Sequence, residues 1–172
     1  VTDPEVDVIS YTGSSQTGKL IMEASSSSLK RLSLELGGKS PAVIFPDADI
    51  ENAMNEIVRG SMAHSGQMCT AIGRIVVHSS LYDQVRDALA GKMKALTVGH
   101  ALDESANLGP LINEAAADRY ISYVEAAGRD GSVLVEGEKL SSGAYGTGCY
   151  VSPTLAEIDD LSHPLIQNEL FS

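Results

Sequence analysis

The sequence predicts an α/β fold with a largely parallel open sheet flanked by helices, and three observations carry that prediction. Short apolar runs of strand length alternate along the chain with amphipathic stretches of helix length. The first run, "VDVIS" at residues 6–10, passes through the turn "GSSQTG" directly into the helical pattern "KLIMEAS". No stretch repeats at a fixed period, which sets aside solenoids and propellers.

Each later element has its own signal. "LSLEL" (residues 32–36) and "PAVIF" (41–45) read as strands separated by "GGKS". Asp49 is placed to cap a helix in which Ile50, Ala53, Met54, Ile57, Val58 and Met62 share one face. "RIVVH" (74–78) reads as a strand. "SLYD" (80–83) has capping-box spacing ahead of a helix lined by Leu81, Val85, Leu89 and Met93. Asn113 opens another helix, with Ala117, Tyr120, Ile121 and Val124 inward and Gly128 as its expected end. "SVLVEG" and "YVSPTLAEI" are the last strands, "SSSS" a polar helix end, and "GEKLSSGAYGTG" a surface loop.

At 172 residues the chain has the size of one domain, enough to bury a core. With 43% apolar residues and no Trp, that core is aliphatic. The formal net charge of −11 opposes binding to nucleic acid, which needs a basic surface to displace counterions. No apolar run reaches the ~18 residues of a membrane span, and nothing has the pattern of a signal peptide. Two cysteines, Cys69 and Cys149, do not make a disulfide framework; they fit reduced thiols in a cytoplasmic protein. No metal site is expected.

The glycine turn admits two phosphate readings. Gly13, Gly18 and Lys19 fit the spacing of a P-loop, but the next residue should carry a hydroxyl for Mg²⁺ and is Leu20. The more general reading is that a glycine turn opening a helix suits a pyrophosphate, because free N–H groups and the helix dipole face it. The spacing is not the usual dinucleotide fingerprint. "SGQMCTAIGR" (65–74) is the other unusual stretch. Small residues surround Cys69 and leave its thiol little to pack against, as if backbone there had to come close to something.

Six motifs in order remove the ambiguity: "YTGSSQTG" (11–18), "LELGGKSP" (34–41), "GQMCTA" (66–71), "LGPLI" (108–112), "VSPTL" (151–155) and "NELF" (168–171). Together they resemble the NAD(P)-dependent aldehyde dehydrogenase superfamily. The resemblance runs the whole chain and matches the middle of a family member. It implies an aldehyde dehydrogenase-like fold, with residues 1–38 closing a dinucleotide-binding domain. Residues 39–172 would then form a catalytic domain, incomplete at its C-terminal end. The implied activity is oxidation of an aldehyde to a carboxylic acid with NAD or NADP.

That chemistry accounts for the residue types. A planar carbonyl gives up hydride poorly; a thiolate adduct gives it up readily and leaves a thioester. The resemblance makes Cys69 the nucleophile, its backbone N–H a donor to the oxyanion, and Glu35 the general base that activates water. A Glu35 carboxylate partly desolvated at its strand end would suit base work near neutrality. Gly13, Ser14 and Gly18 fall in the pyrophosphate turn, Leu36 and Gly37 in the backbone beside the nicotinamide. Glu169 would accept from the nicotinamide ribose hydroxyls, with Phe171 packed at the nicotinamide side. Of two adenosine-side contacts seen in some relatives, only Arg119 remains, because Ala116 stands at the other. Lys39, Arg74 and the four histidines, His64 among them, are expected to be structural or solvated, and Cys149 to be structural.

The sequence begins already running into a strand and stops at "NELFS", so it reads as a piece of something longer. The family's side-chain donor to the oxyanion would lie before Val1, and its oligomerisation strand after Ser172. The full protein is expected to be a homo-oligomer, and this stretch alone to turn over little aldehyde. The alternative from another class is a folded, non-catalytic fragment or interaction module.

Overall fold

Backbone pairing sets the limits of the first strands. In the computed structural model, which describes residues 1–146 and 148–172, β1 is Val8–Thr12 and β2 is Arg31–Glu35. The two run parallel, in register from Val8 opposite Arg31 to Thr12 opposite Glu35. The apolar pattern placed the first strand two residues early. Val6 instead lies in a turn before the strand, where the Lys30 ammonium donates to the carbonyls of Asp3 and Val6. Between the strands runs α1, Ser15–Ser25, capped by the Ser14 hydroxyl, which accepts from the Thr17 N–H at 3.2 Å. The serine run ends it as expected: Ser25 is buried with its hydroxyl on the Ile21 carbonyl at 2.6 Å, and a single 3₁₀ turn follows. These elements form one compact unit, Val1–Gly38.

The second unit, Lys39–Ser172, has its own strand–helix–strand opening. Parallel strands β3 (Ser40–Ile44) and β4 (Ile72–Val77) are joined through α2 (Ile50–Met62). The Asp49 carboxylate accepts from the Asn52 N–H at 3.1 Å, so the expected cap is made. Met54, wholly buried, and Ile57 turn inward from α2 to meet Ile44, Val85, Leu89, Met93 and Val135. Burying side chains of this kind contributes about 1.5–3 kcal/mol each.

Helix α3, Tyr82–Lys94, does not use the capping box read at residues 80–83. A 3₁₀ turn, Ser79–Leu81, precedes it, and the His78 imidazole accepts from the Ser80 N–H instead. The longest helix, α4 (Glu114–Asp130), is capped by Asn113 and runs past Gly128 to Gly131. Nothing lies within 4 Å of where a Gly128 side chain would start, so no neighbour forces the chain to turn there.

The remaining strands pair antiparallel: β5 (Ser132–Val135) with β8 (Leu155–Glu157), and β6 (Lys139–Leu140) with β7 (Tyr150–Val151). The stretch expected as one surface loop therefore contains β6 and a 3₁₀ turn at Gly143–Tyr145; Thr147 of that stretch lies outside the described residues. The short helix α5, Pro164–Gln167, precedes the last residues.

One close approach ties α4 to the C-terminal strands. The Tyr120 hydroxyl, its pKa pushed up to about 12 by burial, sits on the Ser152 carbonyl and the Thr154 hydroxyl. A side chain on Gly137 would begin 1.9 Å from that hydroxyl and 2.6 Å from the Ser152 carbonyl oxygen. Gly137→Ala should therefore break the cluster and destabilise the fold by about 1–3 kcal/mol. Thermal unfolding followed by circular dichroism reads this directly; an unchanged transition would mean the strands yield without cost.

Candidate active site

The site residues of the first unit gather at the carboxyl ends of β1 and β2, where ligands of open parallel sheets bind. The Gly13 N–H donates to the Glu35 carbonyl at 3.0 Å, which sets the glycine turn beside the strand end that bears Glu35. A side chain at Gly13 would begin 2.2 Å from the Tyr11 phenol oxygen, so glycine lets the turn form without displacing that ring. The Ser14 hydroxyl is engaged in capping α1, so what it offers an anion is the open helix end, with the first N–H groups unpaired within the helix. Gly18 is buried, and a side chain there would begin 2.8 Å from a Leu36 methyl. Its missing side chain thus lets α1 and the residue after β2 pack closely. Glu35 is exposed, so the partial desolvation expected for it is not made by the described residues. Leu36 and Gly37 follow, half-buried. A glycine turn at a helix N-terminus beside two strand ends fits the pyrophosphate of a dinucleotide.

The remaining site residues lie in the second unit, and the Cys69 loop is the most constrained segment there. After α2 the backbone enters the left-handed region at three consecutive residues, with φ of 50° at His64, 55° at Ser65 and 78° at Gly66. Two of them carry side chains, at a cost of about 1–2 kcal/mol each. Two clamps hold the turn to the "LGPLI" segment. The Ser65 hydroxyl donates to the Gly109 carbonyl at 2.9 Å, and the Gln67 carboxamide oxygen accepts from the Ile112 N–H at 3.0 Å. The Gln67 amide also donates to the His64 carbonyl at 3.2 Å. In the sequence Ser65 and Gln67 stand only as neighbours of Cys69, because the partners that give them a task lie more than 40 residues away.

Past these clamps Cys69 is exposed, and its backbone N–H has no partner among the described residues. A thiol and an idle N–H on the same residue can together hold a carbonyl carbon and its oxygen. Cys149 is different. It is half-buried in a bridge with Leu111, and its thiol donates to Glu114 at 3.4 Å, with a pKa raised by desolvation and by that carboxylate.

The C-terminal residues lie against the same loop: a side chain on Gly66 would begin 2.7 Å from the Ser172 carbonyl oxygen. This brings the segment carrying Glu169 and Phe171 to the Cys69 turn. Glu169 is half-buried, and Phe171 is exposed with a left-handed φ of 55°. Arg74 is structural, as expected, donating to the Lys39 carbonyl through Nε at 3.0 Å and Nη2 at 2.6 Å. Lys39 is not simply solvated. Its ammonium is half-buried, and its pKa is lowered to about 8, first by desolvation and then by the Arg74 charge, while the Glu169 charge opposes the shift. At the adenosine-side positions, Ala116 is buried and Arg119 exposed. Among the described residues no His, Cys, Asp or Glu cluster could hold a metal ion, and no helix is long and apolar enough to cross a membrane.

The aldehyde dehydrogenase family model matches residues 1–172. The chain is 35% identical over 167 residues to the alpha-ketoglutaric semialdehyde dehydrogenase of Bacillus subtilis, covering 96% of this chain and 34% of that protein. It is 41% identical over 141 residues to the succinate-semialdehyde dehydrogenase [NADP(+)] 1 of Schizosaccharomyces pombe, covering 82% of this chain and 28% of that protein. In structure it is similar to betaine aldehyde dehydrogenase from Staphylococcus aureus in complex with NAD+, with a TM-score of 0.92 at 34% identity, over 98% of this chain and 34% of that one. The chain thus spans about a third of the length of these relatives. With sequence, motif order and backbone all agreeing along its length, the chain belongs to the aldehyde dehydrogenase family.

Proposed function

We propose that this chain is the central part of an enzyme that oxidises an aldehyde to a carboxylic acid with NAD or NADP. Residues 1–38 would close its coenzyme domain and residues 39–172 carry its thiol. The observation that supports this most is the Cys69 loop: an exposed thiol beside an idle N–H, on a turn whose left-handed backbone two side-chain clamps maintain. An inert cysteine needs none of that apparatus.

The roles follow from elementary chemistry. The Cys69 thiolate adds to the aldehyde carbon, forming the S–C bond while the carbonyl π pair moves to oxygen. The Cys69 N–H faces the resulting oxyanion. When bound, the nicotinamide supplies the acceptor for the hydride that turns this thiohemiacetal into a thioester. Glu35 takes a proton from the water that attacks the thioester, and the carboxylic acid leaves as Cys69 recovers its thiolate. Gly13, Ser14 and Gly18 shape the pyrophosphate turn, with Leu36 and Gly37 lining the nicotinamide. Glu169 accepts from the ribose hydroxyls, and Phe171 packs beside the ring. NAD in one relative's structure and NADP in another relative's name support this coenzyme class. We take the complete enzyme as a cytoplasmic homo-oligomer, its two unpaired cysteines in keeping with a reducing compartment.

In the complete enzyme, Cys69→Ser should lower turnover by at least about 10³-fold, while Cys149→Ser should retain most of it, because a serine alkoxide forms far less readily than a thiolate. Steady-state assays of coenzyme reduction decide it, and substantial turnover by Cys69→Ser would remove the covalent mechanism. Glu35→Gln keeps the size of the side chain but cannot take the proton from water. Rapid mixing should show a burst of reduced coenzyme followed by a steady state slowed by about 10²-fold or more. Unchanged steady-state turnover would sink the role given to Glu35.

A further inference from the structure

The segment between α2 and β4 holds a side chain that the reaction scheme leaves without a task. Gln67 stands two residues before Cys69 and is half-buried, where Cys69 is exposed. Its carboxamide works in two directions. The oxygen accepts from the Ile112 N–H at 3.0 Å, and the nitrogen donates to the His64 carbonyl at 3.2 Å. The Gln67 backbone N–H donates to that same carbonyl at 3.1 Å. One residue thus grips the left-handed turn at its first member and ties it to residues 109–112. That segment is a firm support. Leu108 and Leu111 are buried, the Leu111 N–H donates to the Cys149 carbonyl at 2.8 Å, and Asn113 caps α4 directly afterwards.

What Gln67 holds leads straight to the thiol. With φ −86° and ψ 56° it is the centre of an inverse γ-turn, closed by the Met68 N–H on the Gly66 carbonyl at 3.0 Å. The next turn begins at once. The Ala71 N–H donates to the Met68 carbonyl at 3.1 Å, closing a β-turn whose central residues are Cys69 and Thr70. Strand β4 starts at Ile72. The turn that carries the thiol is therefore fastened on its far side by the pairing of β4 with β3, and on its near side by Gln67.

We propose that Gln67 is a positioning residue for Cys69: its carboxamide sets the direction in which the β-turn presents the thiol to the aldehyde. Both ends of the amide are needed. A carboxylate of the same size still accepts from the Ile112 N–H but turns a second acceptor toward the His64 carbonyl, and a methionine supplies no donor. Left-handed His64 and Ser65 persist only while their surroundings hold them, so without the carboxamide the turn relaxes. Ser65 still ties the loop to Gly109, which keeps it attached while its angle changes. The thiol stays exposed; what it loses is its aim at the reacting carbon. The proposal rests on the reading of Cys69 as the nucleophile.

Aim and reactivity can be measured separately in the complete enzyme. Gln67→Met and Gln67→Glu should each slow the burst of reduced coenzyme in rapid mixing by about 10–100-fold, because a misplacement of about 1 Å costs this much in a step that needs alignment. Alkylation of Cys69 by iodoacetamide needs no such alignment. Its rate, followed by mass spectrometry with Cys149 as internal reference, should stay within about 3-fold of wild type. Coenzyme affinity, from fluorescence titration with NADH or NADPH, should not change, which also shows that the variants are folded. A wild-type burst in either variant would overturn the proposal. So would a slowed burst accompanied by weaker coenzyme binding or by a change in alkylation beyond that limit, since the loop would then have lost its structure and not its aim. If Cys69→Ser keeps a burst, the nucleophile reading falls and this proposal with it. If Cys69→Ser has none while both Gln67 variants burst as wild type does, only the positioning role is lost.

Discussion

Three consecutive residues in left-handed backbone, His64 to Gly66, are the constraint on which the second unit's site depends. A helix as regular as α2 would carry its chain straight on; this kink turns it back so that β4 can pair parallel with β3. L-residues resist that conformation, so a turn of this kind persists only where the surroundings over-determine it. The Ser65 and Gln67 contacts with residues 109–112 supply that determination. The exposed Cys69 thiol follows directly on this strained and doubly restrained turn.

What the sequence made legible was whatever is written locally. Ser14, Asp49 and Asn113 cap the helices they precede, because a cap needs only a side chain and an N–H three residues on. The buried faces of α2 and α3 follow their spacing of apolar residues. What failed to show depends on distant partners. The limits of β1 are set by β2, not by its own hydrophobic pattern. The capping box before α3 loses to His78, which the 3₁₀ turn brings to the Ser80 N–H. Gly128 sits inside α4 because packing of Ala116, Ala117, Tyr120, Val124 and Ala127 carries the helix past it. The order of six motifs pointed to Cys69, Glu35 and Glu169; Lys39 lies within one of them, "LELGGKSP", and was expected only to be structural or solvated. Its setting arises only when Gly73 and Arg74 are laid alongside it by strand pairing.

The same pattern runs through the energetics. Left-handed Ser65 and a half-buried Lys39 each lower stability, and both lie in the unit that carries the thiol. The aliphatic core around Met54 and the cluster at Tyr120 supply the surplus that tolerates them. Places where the chain departs from local preference are therefore informative about function in a way that its well-formed helices are not.

The two clamps on the cysteine loop also bear on how the chain comes into being. Their partners are 44 and 45 residues further along, so during synthesis Cys69 is made well before the segment that restrains it. Until Gly109 and Ile112 have emerged, neither clamp can form, and the turn lacks these two restraints. The nascent protein therefore passes through a stage in which its cysteine exists without the environment that distinguishes it.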